Sequence, residues 1–544
     1  MLRDRLHIFP VFIVIYVPVS FFITYGIAVY NGNVKPDFPY ISDTGATPPE
    51  SCVFGQLLNI AAVVAMFVFY IRYKQIDTYQ RTCPRKAVSR VNKVAFVIGL
   101  LAAFGISMVG NFQEGNVWIV HMIGAFLAFV FGGVYCCLQT YLSFKLPNIP
   151  GSTRNLRIGR LVICVLDFAF MVAIFVTFRF TKSSSSIRPG CWTTKEPGMS
   201  ACLASTISEW IISFLTCIYV ATFTPEFKYF ELIKAKILFH ELTRNNEVPG
   251  NENSEETQSN GTVVTTAITE TSAKMLADRL HLFPLFIVIY VPVSFCITYI
   301  IAVANKHVEP GFPYISDTGT LPPESCVFGQ LLNIGAVVAM AMFYIRYKQI
   351  ATYQKDCPVR IITRVNMAAL VMGLFSAFGI SLVGNFQETN VVVVHLIGAF
   401  FAFGMGLVYC CLQTYLSFKL PDIPGSSRNL RVGRLAICIL DVVFILTLMI
   451  AAAFTIGERP NNPRKWTPDE PMYGAHLTST ISEWLMAFLT CLYLATFTPE
   501  FKYFEMIKPE IMFRDTPGVS AIRITKDIEP QTGDGPVKFS EGLT

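Results

Sequence analysis

The sequence predicts an all-α integral membrane protein built as two parallel six-helix units, twelve transmembrane spans in all, and three observations carry that prediction. Of 544 residues, 53% are hydrophobic and only 15% charged, with a mean hydropathy of +0.49, whereas soluble domains carry about one quarter charged residues. The apolar residues fall in stretches of about 20, the length that crosses a bilayer as a helix. The stretch FPYISDTGATPPESCVFGQLLNI, Phe38 to Ile60, returns as FPYISDTGTLPPESCVFGQLLNI at Phe312 to Ile334, with 21 of 23 positions identical. The same offset of 274 maps His7 onto His281, Asn111 onto Asn385, Trp192 onto Trp466 and Glu209 onto Glu483, so one unit is written twice.

In order along the first unit, spans are expected at about Ile8 to Tyr30, Cys52 to Tyr73, Val91 to Gly110, Val117 to Phe144, Leu161 to Phe178 and Ala201 to Phe223, each repeated 274 residues later. The first apolar run is too long for a cleavable signal peptide and no small-residue cleavage site follows it. Arg and Lys crowd the short loops on one side: Arg3 and Arg5, then Arg72 to Lys93, then Lys145 to Arg160. The positive-inside rule therefore places the N-terminus, linker and C-terminus in the cytosol. The net charge of +6 reports membrane orientation and not nucleic-acid binding. An even number of spans per unit makes the two units parallel.

Domain boundaries follow: 1–239 for the first unit, 240–274 for a linker, 275–514 for the second unit and 515–544 for a tail. The linker is rich in Ser, Thr, Asn and Glu without apolar periodicity, and like the tail it reads as disordered and cytosolic. Between the sixth span and the linker, Tyr229-Phe-Glu-Leu232 and Tyr503-Phe-Glu-Met506 have the form of tyrosine-based sorting signals, a tyrosine followed three residues later by a large apolar side chain. The neighbouring FTPEFKYFE, Phe223 to Glu231, reads equally as an amphipathic segment lying on the membrane.

The loop opening the repeated stretch is built of turn formers, since Pro fixes φ, Gly permits positive φ and Asp accepts from nearby amides. Asp43, Thr44, Gly45 and Glu50, with Asp317, Thr318, Gly319 and Glu324, form a loop signature that either contacts a luminal ligand or holds the loop's shape. The Asp-Thr-Gly triplet also occurs in aspartic proteases, but here it lacks their β-sandwich context.

ISDTG followed by PPE-x-C-x-FG and an Asn in span two, YIRYKQ at Tyr70 to Gln75, NFQ at Asn111 to Gln113, His121, QT-x-LSF at Gln139 to Phe144 and ISEW at Ile207 to Trp210 together resemble the DNA-damage-regulated autophagy modulator family. The resemblance runs through each whole unit, although the family pattern is a single unit. It implies six-span proteins of lysosomal and other endomembranes, associated with autophagy and apoptosis, and carries no catalytic residues. A related branch is associated with the plasma membrane and phosphoinositide regulation.

The 15 cysteines show no CxxC pair or zinc-like spacing, and no cofactor or metal is expected. Cys52, Cys191 and Cys202 offer one luminal disulfide in the first unit, but Lys465 and His476 replace the last two in the second, which disfavours a shared disulfide. Inside the spans, Asn59, His121, Asp167 and Glu209 and their copies Asn333, His395, Asp441 and Glu483 are costly unless turned inward. In span four, Gly124, Ala128 and Gly132 form a small-residue face beside His121. Depth along the helices predicts a luminal pocket of Asn59, His121 and Glu209, and of Asn333, His395 and Glu483. The alternative is interhelical hydrogen bonding that fixes packing.

Three function classes remain. The favoured one is a non-enzymatic endomembrane modulator of autophagy, partnered by the lipid bilayer and by autophagy or sorting machinery on its cytosolic side. A transporter or channel for an ion, lipid or small molecule is the second. A membrane hydrolase using His121, Ser208 and Glu209 is the weakest, because it lacks ligand or triad spacing.

Overall fold

The computed structural model describes residues 5–81, 84–181, 199–233, 236–239, 279–355, 357–456, 464–507 and 510–513. The linker and tail read from composition lie outside the described residues, as does Cys191. The end carrying the FPYISDTG loop is the loop end below; the opposite end is the linker end.

The first unit consists of α1 Ile8–Tyr30, α2 Glu50–Gln80, α3 Lys86–Asn111, α4 Trp118–Lys145, α5 Arg154–Thr181 and α6 Met199–Ala221. A short helix α7, Thr224–Phe227, and strands β1 Phe230–Ile233 and β2 Lys236–Phe239 follow. The second unit repeats them as α8 Leu282–Ala304, α9 Glu324–Tyr353, α10 Arg360–Asn385, α11 Val392–Lys419, α12 Arg428–Thr455, α13 Tyr473–Ala495, α14 Thr498–Phe501, β3 Phe504–Ile507 and β4 Glu510–Phe513. Twelve of the described helices are long and apolar enough to cross a membrane. At 31 residues α2 exceeds its expected span; with ~1.5 Å per residue it runs well beyond a ~30 Å hydrocarbon core at the linker end.

Within a unit, α3 packs on α2 and α4, and α6 on α5 and α1. The α3–α4 contact explains part of the small-residue face: a Cβ on Gly105 of α3 would stand 2.5 Å from the Ala128 nitrogen, and one on Gly124 would stand 2.8 Å from the Met108 Cβ. Only glycine permits so close an approach. Gly132, by contrast, faces open space. Just past Gly124 the helix winds wider, as a π-turn over Leu127–Phe131 matched by Phe400–Met405 in α11. The outward faces stay apolar, as exposed Ile15, Val165 and Phe168 illustrate, which suits contact with lipid.

The two units form a paired body. On α2 the residues Cys52, Gln56 and Asn59 recur at helical spacing and turn towards α10 of the second unit, while α9 turns the same stripe towards α3. At the linker end the strands are exchanged: β1 pairs antiparallel with β4 and β2 with β3, so Leu232 lies opposite Ile511 and Ile237 opposite Met506.

Candidate functional site

The loop signature is turned inward. Thr44 Oγ1 donates to the Ile41 carbonyl at 2.7 Å and meets Thr24 Oγ1 of α1 at 3.2 Å. Glu50, fully buried, accepts from Thr47 Oγ1 at 2.6 Å, Asn33 Nδ2 at 2.5 Å and Asn31 Nδ2 at 3.2 Å, tying the end of α1 to the start of α2. In the second unit Glu324 takes Asn305 and His307 instead. A Cβ on Gly45 would overlap the Phe54 ring at 2.4 Å. These residues bind one another and hold the loop against α1 and α2. Asp43 and Asp317, also buried, are the members with fewest partners. Burial, with Glu114 beside it, pushes the Asp43 carboxyl up to about 7, against a backbone hydrogen bond from Tyr40 that lowers it. Asp317 is likewise raised by burial, Glu388 and Glu483, with the Arg464 guanidinium opposing.

The ISEW motif pins this loop from below. Glu209 Oε2 accepts the Ile41 amide at 2.9 Å and Trp210 Nε1 donates to the Pro39 carbonyl at 2.9 Å. Glu483 and Trp484 repeat both bonds, each at 2.8 Å, with Ile315 and Pro313. His121 lies 2.7 Å through Nδ1 from the Phe112 carbonyl, and His395 repeats this with Phe386. A carbonyl only accepts, so Nδ1 carries the proton.

His121 and Glu209 line one cavity of about 250 Å³ with Tyr40, Ser42, Glu114 and Ser205. His395 and Glu483 line a smaller one of about 130 Å³ with Ser316. Asn59 and Asn333 do not join the first cavity or the second, which corrects the three-residue pocket expected from depth alone. Asn59 is turned the other way. Its Nδ2 donates to Gly55 O at 2.8 Å, Asn111 Oδ1 at 3.1 Å and Asn385 Oδ1 at 3.4 Å, while its Oδ1 accepts from Ser107 Oγ at 2.6 Å. Gln330 of α9 closes the network by accepting from Asn111 at 3.1 Å and donating to Ser107 at 3.0 Å. Asn333, Asn385, Ser381 and Gln56 form the symmetric copy. Depth along a helix does not say which side of that helix a residue occupies. Asp167 and Asp441 are buried in α5 and α12 with both carboxylate oxygens lacking a hydrogen-bond partner, away from both cavities.

Sequence reading missed a second polar centre at the linker end. Arg72 and Arg160, both fully buried, converge on Glu226 of α7, with Arg160 Nη1 at 2.9 Å from Oε1 and Arg72 paired to Oε2. The remaining donors are taken by Gln139 Oε1 at 3.0 Å, Gln75 Oε1 at 2.7 Å, Ser143 Oγ at 2.7 Å and Thr222 O at 2.9 Å. The Phe223 ring lies against both guanidinium groups, at 4.8 and 5.0 Å. Arg346, Arg434, Glu500 and Phe497 repeat the centre. The signal available was a lone glutamate inside the aromatic run FTPEF, which needed a cationic partner.

The same centre corrects the amphipathic reading of Phe223 to Glu231. Phe223, Phe227 and Phe230 are fully buried core residues, not a membrane-facing row. Tyr229 is partly buried against that core, and Leu232 and Met506 fall in strands already paired with the other unit. A sorting adaptor that reads an extended tyrosine motif would need that backbone free. Among the described residues no three His, Cys, Asp or Glu side chains are grouped so as to hold a metal ion.

Comparison with known proteins gives a consistent relationship for both units. Residues 5–230 and 279–504 each match the Frag1/DRAM/Sfk1/Cwh43P N-terminal domain. DNA damage-regulated autophagy modulator protein 2 of Mus musculus is 38% identical over 228 residues, 41% of this chain and 84% of that protein. DNA damage-regulated autophagy modulator protein 1 of Homo sapiens is 36% identical over 223 residues, 40% of this chain and 90% of that protein. Modulator of macroautophagy TMEM150B-A of Xenopus laevis is 33% identical over 240 residues, 43% of this chain and 93% of that protein. No solved structure matches the chain.

Proposed function

The chain belongs to the Frag1/DRAM/Sfk1/Cwh43P family through both of its halves, and on that footing we propose that it is a non-enzymatic, multi-pass protein of lysosomal or other endomembranes that modulates autophagy and apoptosis. The observation that carries this reading is the repeated match of each unit to relatives named as autophagy modulators, over more than four fifths of their length.

Local chemistry supports a non-enzymatic role over a hydrolase. Ser208 Oγ donates to the Ala204 carbonyl of its own helix at 2.6 Å, His121 Nδ1 is committed to Phe112, and Glu209 accepts from the Ile41 amide. A serine nucleophile needs its base within hydrogen-bond reach, and these three side chains are each engaged elsewhere.

The test is autophagic flux in cells lacking the chain, measured as turnover of lipidated autophagosome marker with and without a block of lysosomal acidification. Reduced flux, restored by re-expression, is the expected result. Unchanged flux under both starvation and DNA damage would overturn the reading.

A further inference from the structure

The two units meet through the amide network towards the loop end and through the exchanged strands at the linker end. Below the amide network they enclose a cavity of about 420 Å³, larger than either loop-end cavity. Its roof is Gln56, Asn59 and Ser107 of the first unit with their copies Gln330, Asn333 and Ser381. Its walls are apolar: Ile60, Val63 and Met66 of α2 line it together with Ile334, Val337 and Met340 of α9. Phe104 of α3 and Phe378 of α10 also line it and are 37% and 41% exposed on the outer surface, so the cavity opens sideways to lipid.

The roof has hydrogen-bonding capacity to spare. A side-chain amide carries two N–H groups. Gln56 Nε2 gives one to Ser381 Oγ at 3.1 Å and Gln330 Nε2 gives one to Ser107 Oγ at 3.0 Å, so among the described residues each of these buried glutamines keeps a second N–H without an acceptor. Gln330 Oε1 accepts from Asn111 alone, which leaves it room for a proton as well. No charged side chain lines the cavity, so a phosphate or an ammonium inside it would lack a counter-charge. Helices α3 and α10 end at Asn111 and Asn385, within the amide network, which sets the roof at the loop-end boundary of those spans. From Gln56 down to Met66 the cavity descends about 15 Å, the depth of one leaflet. Its Ile and Val walls are stiff at χ1, so the shape is fixed, and a fixed shape favours a rigid ligand, which loses little freedom on entering. A volume of about 420 Å³ lies within the ~300–1,000 Å³ of pockets that hold one compact molecule.

We propose that the cavity between the two units is a binding site for a sterol, a rigid, uncharged lipid with a single hydroxyl head. The hydroxyl accepts the spare N–H of Gln330, with Gln56 as the equivalent seat on the other side of the pseudo-two-fold axis. The fused rings lie between α2 and α9, and the alkyl tail continues into the bilayer. The site goes beyond the autophagy reading and stands on different observations, so either can fail alone.

The test uses the full chain in phosphatidylcholine nanodiscs and a photoactivatable, alkyne-tagged cholesterol whose hydroxyl is free. The probe should label peptides of α2 and α9 that border the cavity, and unlabelled cholesterol should compete. Cholestane, with the same rings and no hydroxyl, should compete about fivefold more weakly, the difference expected for one hydrogen bond between neutral groups. Gln56→Met with Gln330→Met removes both seats and should weaken labelling by a similar factor. Val63→Phe with Val337→Phe fills the cavity from its walls without touching an amide and should abolish labelling there, which decides the matter if the glutamine variant is not monodisperse. Labelling undiminished in the double valine variant would overturn the site. Competition by dioleoylglycerol as strong as by cholesterol, or equal labelling of the same peptides by a photoactivatable phosphatidylcholine, would make the cavity a crevice filled by any acyl chain and overturn the sterol assignment.

Discussion

Asn59 of the first unit and Asn385 of the second meet at 3.4 Å, Nδ2 to Oδ1, and Asn333 repeats the contact with Asn111 at the same distance. The α2 helix bearing Asn59 has Gly55 one turn earlier, where a Cβ would come within 3.0 Å of Asn385 Oδ1. A missing side chain on one unit thus makes room for a polar side chain of the other. In lipid, where apolar contact between helices gains little over contact with acyl chains, such matched amides and close approaches are what hold bundles together.

Replacing Asn59 by leucine should therefore loosen the pairing of the units. It leaves Asn111, Ser107 and Asn385 short of a partner, at a cost on the order of 1 kcal/mol. Thermal unfolding of the purified chain in detergent should show a lower midpoint for Asn59→Leu and for Asn333→Leu, with the double variant losing less than the sum because the two sites share one network. A midpoint equal to wild type would mean that the network contributes nothing to stability.

At the linker end the asymmetry of charge gives a sharper expectation. Two buried guanidinium groups share the single carboxylate of Glu226. Glu226→Gln leaves both without a counter-charge and should destabilise by about 3–5 kcal/mol, whereas Arg72→Met leaves Glu226 paired with Arg160 and should cost less. The fraction of chain recovered monodisperse after heating ranks the variants. The opposite ranking would contradict the assigned pairing.

Most of the fold was legible and much of the site was not, for physical reasons that differ by residue. Hydropathy and the 274-residue offset give twelve helices and two units because lipid imposes length and apolarity on every span. Glu209 and His121 are buried, as expected of polar groups inside a span, which have few other options. Asn59 obeys the same rule but satisfies it across the unit boundary, and nothing in a single copy of a repeat distinguishes its own interior from the face it offers to its twin. Arg72 and Arg160 were read as topology markers because they sit where the positive-inside rule expects them. Their burial depends on α7 folding back beneath the bundle, a long-range event without local periodicity.

The loop should be tighter in acid. Burial raises the Asp43 carboxyl from its ordinary 3.8 to about 7, so between those values the folded loop binds a proton that the unfolded loop does not. Stability is then fully present below the ordinary value and falls as pH rises through about 7. Hydrogen exchange across residues 38–50, corrected for intrinsic rates, should be slower at pH 5 than at pH 7.5. Asp43→Asn should flatten that difference. Faster corrected exchange at pH 5 would reverse the sign and refute the assignment.

Because Phe230–Ile233 and Phe504–Ile507 are engaged in inter-unit ladders, changing Tyr229 and Tyr503 together to alanine should leave the steady-state location of the chain unaltered by fluorescence imaging. Redistribution to the cell surface would show that these strands are released and read as sorting signals.

The pairing of the two units is tested most directly at a native cysteine. Cys326 Sγ of the second unit donates to Gln113 Oε1 of the first at 3.1 Å, so Gln113→Cys sets a second thiol against it. With a protease site placed in 240–274 and a short bis-thiosulfonate reagent, the cleaved halves should migrate together without reductant and separate with it, while the chain lacking the substitution separates in both lanes. Halves of the Gln113→Cys chain that separate without reductant, at thiol accessibility equal to that of the unfolded chain, would contradict a paired two-unit body.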